Sequence, residues 1–258
     1  MLGDRWTQGP DALLKAIAEG GYRGIEITDT MIGDYATRPV DFAAALQTHE
    51  LELAAFAFGS ASGFTLSESI DADLETTARW LEFAAHFPGA PVSLGSATVV
   101  SMGPREDKFE IAAEIYNRAA ALGADAGVPV TIHPSSHHNT LLFDRADYDR
   151  LFALLDEETV GWVPDTGHIL RGGQSLMDTL HTYRSRIHYV HLKDVDEQGQ
   201  WAMLGTGCCD VAAVIELAMQ APRFNGWVVV EEESQQAEAD PARAVRDNRE
   251  TLLRLGYR

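Results

Sequence analysis

Four polar residues each close an apolar run. His133 ends Val128-Pro-Val-Thr-Ile-His133, Asp165 ends Val160-Gly-Trp-Val-Pro-Asp165, His191 ends Ile187-His-Tyr-Val-His191, and Glu231 ends Gly226-Trp-Val-Val-Val-Glu231. They lie 32, 26 and 40 residues apart, the length of a strand, a helix and two loops. Parallel strands covered by helices on both faces are apolar throughout. An ionisable group at the carboxyl end of each strand therefore points at a common floor, where barrel enzymes keep their chemistry. Two carboxylates and two imidazoles meeting there can hold a divalent metal ion.

The neighbours of these four sharpen the expectation. In Asp165-Thr-Gly-His168 a carboxylate and an imidazole share one short turn, a pairing suited to metal and hydroxyl binding, although an aspartate there also suits a helix cap. Period-two alternation puts Tyr189, His191 and Lys193 on one face of their strand, with Lys193 nearer the rim, and leaves His188 as a hydrogen-bonded core group. Glu231 emerges from three valines and needs a cationic partner. Glu233 shares its parity, whereas Glu232 faces the helices. His133-Pro-Ser-Ser-His-His138 places His137 and His138 in a loop over the floor, as candidate substrate contacts with His168 and Lys193. Leu204-Gly-Thr-Gly-Cys-Cys-Asp210 reads either as a phosphate-cradling loop or as a flexible turn with Asp210 capping the next helix.

Helical and strand-like patterns alternate along the whole chain. Strands are expected at 24–28, 51–58, 91–97, 129–133, 162–165, 187–193 and 227–231. Helices are expected near 10–18, 40–49, 71–87, 105–126, 146–156, 175–183, 210–220 and 241–255. Strict alternation implies a parallel sheet with right-handed crossovers. The expected class is α/β, a TIM-type (β/α)8 barrel whose first strand is short or missing, because only residues 1–6 remain to supply it. With no low-complexity linker or charge block, residues 1–258 read as one domain, and about 250 residues is the typical length of such a barrel.

The formal net charge of −19 opposes binding to phosphate backbones or anionic membranes. The two cysteines, Cys208 and Cys209, are adjacent and form no disulfide framework, which suggests a reducing compartment. There is no apolar run of membrane-spanning length and no leader pattern, so cytoplasm is the expected location.

Asp165-Thr-Gly-His168, Val190-His-Leu-Lys-Asp194 and Gly226-Trp-Val-Val-Val-Glu231, with Gly20-Gly-Tyr-Arg-Gly-Ile-Glu26 near the start, resemble the xylose isomerase-like barrels. That sugar phosphate isomerase/epimerase group includes inosose dehydratases and ketose 3-epimerases. The resemblance implies an ion such as Mn²⁺, Co²⁺, Mg²⁺ or Zn²⁺ held by Glu, Asp, His and Glu on successive late strands. Asp165, His191 and Glu231 match. His133 replaces the first glutamate, or Thr131 takes that position in another register and His133 acts as acid or base. The two opposed glutamates of the epimerases are thus reduced to one.

The expectation is a metal-dependent isomerase or epimerase acting on a small polyhydroxy ketone or aldehyde, by abstraction of the proton α to the carbonyl. Glu231 is the candidate base and ligand, and His133 the opposing acid, base or ligand. An inosose-type dehydratase of a keto-cyclitol begins with the same step. A non-catalytic sugar-binding subunit is a further alternative, and a homo-oligomer is compatible with the sequence. An endonuclease IV-type nuclease, which would need a basic groove and more ligands, is disfavoured by the charge.

Overall fold

The computed structural model describes residues 9–137 and 139–257. The expected opening strand within residues 1–6, and His138, lie outside them. Five parallel strands form one sheet in chain order: β1 (Gly24–Thr28), β2 (Glu52–Phe58), β3 (Val92–Leu94), β4 (Val130–Ile132) and β5 (Val160–Trp162). β6 (Val190–Leu192) continues the array. Ile187 bridges Trp162 and His191 bridges Asp165, both in parallel sense. The ladder between β5 and β6 is broken at Pro164, which has no N–H to give and is tolerated only at such irregularities. β9 (Val228–Val230) pairs with β6 in parallel.

Between the strands run α1 (Pro10–Glu19), α2 (Pro39–Thr48), α3 (Ile70–Ala84), α4 (Arg105–Ala126), α5 (Arg145–Leu154), α6 (Thr166–Arg171), α7 (Leu176–Thr182) and α8 (Val211–Ala218). The short α9 (Gln235–Ala239) and α10 (Pro241–Arg254) follow β9. α4 shows why helix covers sheet here. Phe109, Ala112, Ala113, Tyr116, Ala119 and Ala120 recur at three- and four-residue spacing and are buried, while the intervening residues are largely polar. Among the described residues β1 pairs only with β2, and β9 only with β6. The array nevertheless curves back on itself: a Cβ on Gly24 of β1 would come within 2.6 Å of the Trp227 indole, just before β9. The fold is the expected parallel β/α array of a TIM-type barrel. None of the described helices is long and apolar enough to cross a membrane.

Among the short elements that escaped the sequence reading, α6 and one hairpin shape the site. α6 is the turn Asp165-Thr-Gly-His168 itself, capped by Asp165. The antiparallel hairpin of β7 (Asp194–Val195) and β8 (Trp201–Ala202) follows β6 and folds Trp201 back over the barrel's end.

The Leu204–Asp210 loop corrects the phosphate reading. Its backbone amides are already filled by the Asp194 carboxylate, which accepts from Val195 N and Cys209 N at Oδ1 and from Gly205 N and Gly207 N at Oδ2, each at 2.9 Å. An internal anion occupies the nest that a phosphate would need. Asp210 caps α8, as the turn reading expects. Asp194→Ala would leave these amides without their acceptor. It is expected to cost roughly 3 kcal/mol or more, lowering the thermal midpoint by about 6–12 °C. A fall below about 3 °C in a melting experiment would show that the loop does not depend on this anchor.

Candidate metal centre

His133 and Glu231 stand just past β4 and β9, Asp165 lies beyond β5 where it bridges His191, and His191 is the central residue of β6 rather than its end. His133 N donates to Leu94 O at 3.0 Å, His191 N to Pro164 O at 2.9 Å, and Glu231 N to Leu192 O at 3.0 Å. Their side chains converge. His191 Nδ1 lies 2.7 Å from Glu231 Oε2 and 3.0 Å from His133 Nε2. His133 Nε2 lies 3.5 Å from Glu231 Oε2 and 3.7 Å from Asp165 Oδ2, and His191 Nδ1 is 3.9 Å from Asp165 Oδ2. Four donors at roughly 2.1 Å from one ion in a tetrahedron would stand about 3.4 Å apart. The observed separations bracket that spacing.

Asp165 supplies the clearest test of fit. Its Oδ1 caps α6, accepting from His168 N at 2.7 Å. The residue is 0% exposed, and Oδ2, aimed into the cluster, has no hydrogen-bond partner. A bare carboxylate oxygen in a buried site calls for a cation. Thr131 has no place in this set: its hydroxyl is buried without a partner, a step deeper in β4, and His133 faces the other three.

Glu26, on β1, joins the cluster from across the barrel, with Oε2 at 2.9 Å from His191 Nε2. The carboxylates of Asp165, Glu231 and Glu233 gather around the Lys193 ammonium, while that of Glu26 meets His191. The ammonium donates to Glu231 Oε1 at 2.9 Å and to Glu233 Oε1 at 2.7 Å. The surplus of negative charge is held by protons. Burial opposes a charge on His191, but the carboxylates of Glu26 and Glu231 overcome it and raise its pKa to about 10. His133 is likewise raised against burial by Asp165 and Glu231. Burial would raise the carboxyl groups, yet His168 and Lys193 hold Asp165 at about 2, and Lys193 with the two imidazoles holds Glu231 well below its ordinary value.

Lys193 is 1% exposed, and its ammonium is held by Glu231 and Glu233. Trp201 covers it, the ring centroid lying 4.2 Å from the ammonium and 4.4 Å from the Arg171 guanidinium carbon on α6. Gly167 makes this possible: a Cβ there would meet Lys193 Cγ and Trp201 Cζ3, each at 2.9 Å.

His168 lines the cavity. Its Nδ1 accepts from Ser136 N at 2.9 Å and lies 2.8 Å from Ser136 Oγ. A backbone N–H can only donate, so Nδ1 is bare and the neutral ring carries its proton on Nε2. Burial lowers its pKa to about 3, with Asp165 opposing and the Lys193 ammonium adding to the fall. His137 sits at the cavity mouth, its Nε2 3.8 Å from Glu233 Oε2. His137, His168 and Glu233 also stand close enough to share an ion. However, His168 Nε2 carries a proton, and the Lys193 ammonium already stands 3.4 Å from it and on Glu233. A cation of the chain fills that second place. Glu232 turns away as expected, accepting from Asn248 Nδ2 of α10.

Two of these residues were missed from sequence. Glu26 is the lone charge in Gly24-Ile-Glu-Ile-Thr28, the anomaly that identified the other four, but it sits mid-strand rather than at a strand end. Trp201 follows Asp196-Glu-Gln-Gly199, a turn signal between apolar residues that marks a hairpin.

Residues 14–255 match the family described as xylose isomerase-like TIM barrel. An inosose dehydratase of Geobacillus kaustophilus (strain HTA426) is 28% identical over 286 aligned positions, which cover 98% of this chain and 89% of that relative. Among solved structures, the apo form of a 3-keto-D-glucoside 4-epimerase from E. coli superposes with a TM-score of 0.76 at 21% identity, over 96% of each chain. IOLI protein with a binding zinc atom superposes with a TM-score of 0.78 at 16% identity, over 96% of this chain and 92% of that one. The chain thus belongs to the xylose isomerase-like TIM barrel family and is an enzyme of it.

Proposed function

We propose that the protein is a divalent-metal-dependent enzyme that removes the proton α to the carbonyl of a small, unphosphorylated polyhydroxy ketone, with loss of a β-hydroxyl as water. The observation that carries this reading is the facing pair at the cluster. Opposite the Glu231 carboxylate stands the imidazole of His133, at 3.5 Å, where a two-base enzyme would need a second carboxylate. The end-to-end similarity to an inosose dehydratase supports the same outcome. The isomerase or epimerase reading shares the first step and is favoured by the solved 4-epimerase of the same fold.

His133, Asp165, His191 and Glu231 would hold the ion, whose contribution when bound is Lewis-acid polarisation of a carbonyl and its neighbouring hydroxyl. Lys193 fixes Glu231 by one oxygen and keeps it ionised. The Glu231 carboxylate takes the proton from carbon and returns it to the departing hydroxyl, so that one water leaves and no other acid is consumed. The Nε2–H of His168 donates to a substrate oxygen, a neutral imidazole acting as a hydrogen-bond donor. His133 serves as a ligand rather than an acid, because Nε2 is the atom it aims at the other three.

The substrate class follows from the walls. A cavity of about 1270 Å³ runs from the cluster down beside β1 and β9, and near the cluster it presents the hydroxyl side chains Thr28, Ser60, Ser96, Thr98 and Ser135. Among the described lining residues its lysine and arginine side chains are Arg23 and Arg249, beside the amino-terminal end of β1. Arg249 is bound there to Gly21 O and Tyr257 O. Among the described residues that line the cavity, no lysine or arginine stands beside the four ligands to take a phosphate, and Lys193 is engaged by Glu231 and Glu233.

Incubation of the Mn²⁺-loaded protein with an unphosphorylated keto-cyclitol in D₂O, followed by NMR, tests the reading. The expected result is loss of one water, with exchange at a single stereochemical position in unreacted substrate and no inhibition by millimolar inorganic phosphate. Rapid deuteration with inversion beside the carbonyl, and no water loss, would establish the epimerase instead.

A further inference from the structure

We infer that Glu26 is a positioning residue for the metal ion, holding the Nε2–H of His191 so that the Nδ1 lone pair faces the cluster. The inference rests on the metal reading above and adds a residue to it from the opposite wall of the barrel. An imidazole can give a lone pair from one nitrogen only while its proton sits on the other. The two nitrogens of His191 face different company. Nδ1 looks at Glu231, His133 and Asp165, at 2.7, 3.0 and 3.9 Å. Nε2 looks at Glu26 Oε2, at 2.9 Å. A carboxylate accepts and cannot donate, so Glu26 selects the tautomer that leaves Nδ1 free, and its negative charge makes that nitrogen a stronger donor.

The backbone is built to deliver this carboxylate. Glu26 lies between Ile25 and Ile27, which point the other way and are buried at 6% and 0% exposure. The register between β1 and β2 shifts at this step: Ile25 pairs with Leu53 but Glu26 with Ala55, passing over Ala54. Such a bulge re-aims a side chain. The partner now beside Glu26 is the small Ala55, and the next on that face, opposite Thr28, is Ala57, so the Glu26 carboxylate is free to cross to a residue 165 positions away.

Zinc affinity, measured by competition with a chromophoric chelator, tests this together with NMR of ¹⁵N-histidine-labelled protein. Glu26→Gln and Glu26→Ala are expected to bind Zn²⁺ roughly ten- to a hundredfold more weakly than the wild type. Glu26→Asp, too short to reach Nε2, should not restore affinity. Zinc-loaded wild type should show the His191 proton on Nε2, and that signal should broaden in Glu26→Gln. A merely structural role would lower the metal-free melting temperature and leave affinity and tautomer alone. Affinities within twofold of wild type, or a proton on Nδ1 in the zinc-loaded wild type, would overturn the inference while sparing the metal reading. Failure of the wild type to bind zinc at all would overturn both.

Discussion

His191→Ala should abolish turnover and weaken divalent-metal binding by more than about a hundredfold, since loss of a partner one step removed from an ion already costs roughly ten- to a hundredfold. The imidazole is the hub of the cluster, with Nδ1 toward Glu231 and His133 and Nε2 toward Glu26. Its removal takes away one donor and releases Glu26 as well. The metal-free protein gives the same residue a second signature. The folded pKa of His191 is raised from 6.5 to about 10, so the stabilisation its proton provides is fully present below pH 6.5 and is lost as pH climbs through about 10. The chelated wild type should therefore melt at lower temperature at pH 9 than at pH 6. Metal affinity should run the other way, rising with pH, because the ion displaces that proton. Isothermal titration and melting curves over that range read both, and a pH-independent affinity would remove His191 from the ligand set.

Lys193→Met is expected to act on stability instead. It removes the buried ammonium that Glu231 and Glu233 share and leaves two partly buried carboxylates without it. Breaking a buried pair in this way costs roughly 3–5 kcal/mol. Metal affinity should change by less than about tenfold, because an ammonium has no lone pair to give. Turnover should fall, since Glu231 loses the contact that fixes it. Chemical denaturation and the titration used for His191→Ala separate the two variants. Equal losses of metal affinity in both would show that Lys193 acts at the ion itself.

The strand-end residues were legible because each breaks a simple rule. A charge at the end of a valine run has no reason to be there unless something pairs with it, and Asp165, His191 and Glu231 all meet at one place. Helix α4 was legible to the residue, since its alternation of buried alanines with polar residues spans 22 positions between Pro104 and Gly127. Glu26 was not, because its aim depends on a register shift against β2, where its partner Ala55 is 29 residues away and local pattern cannot report it. The role of Lys193 was also hidden. Parity placed it on the correct face, but only the hairpin that lays Trp201 over it turns a rim residue into a buried one. The glycine loop before α8 left two readings open for the opposite reason. Its amides do form an anion nest, and the anion is the chain's own Asp194.

The most direct test of the central assignment is the anomalous difference map of a crystal soaked in Mn²⁺ near neutral pH. One strong peak is expected among His133 Nε2, Asp165 Oδ2, His191 Nδ1 and Glu231 Oε2, at roughly 2.0–2.3 Å from each of at least three of them. No peak is expected among His137, His168 and Glu233, where Lys193 stands. A map with its peak in that second place, or with none at the first, would contradict the account.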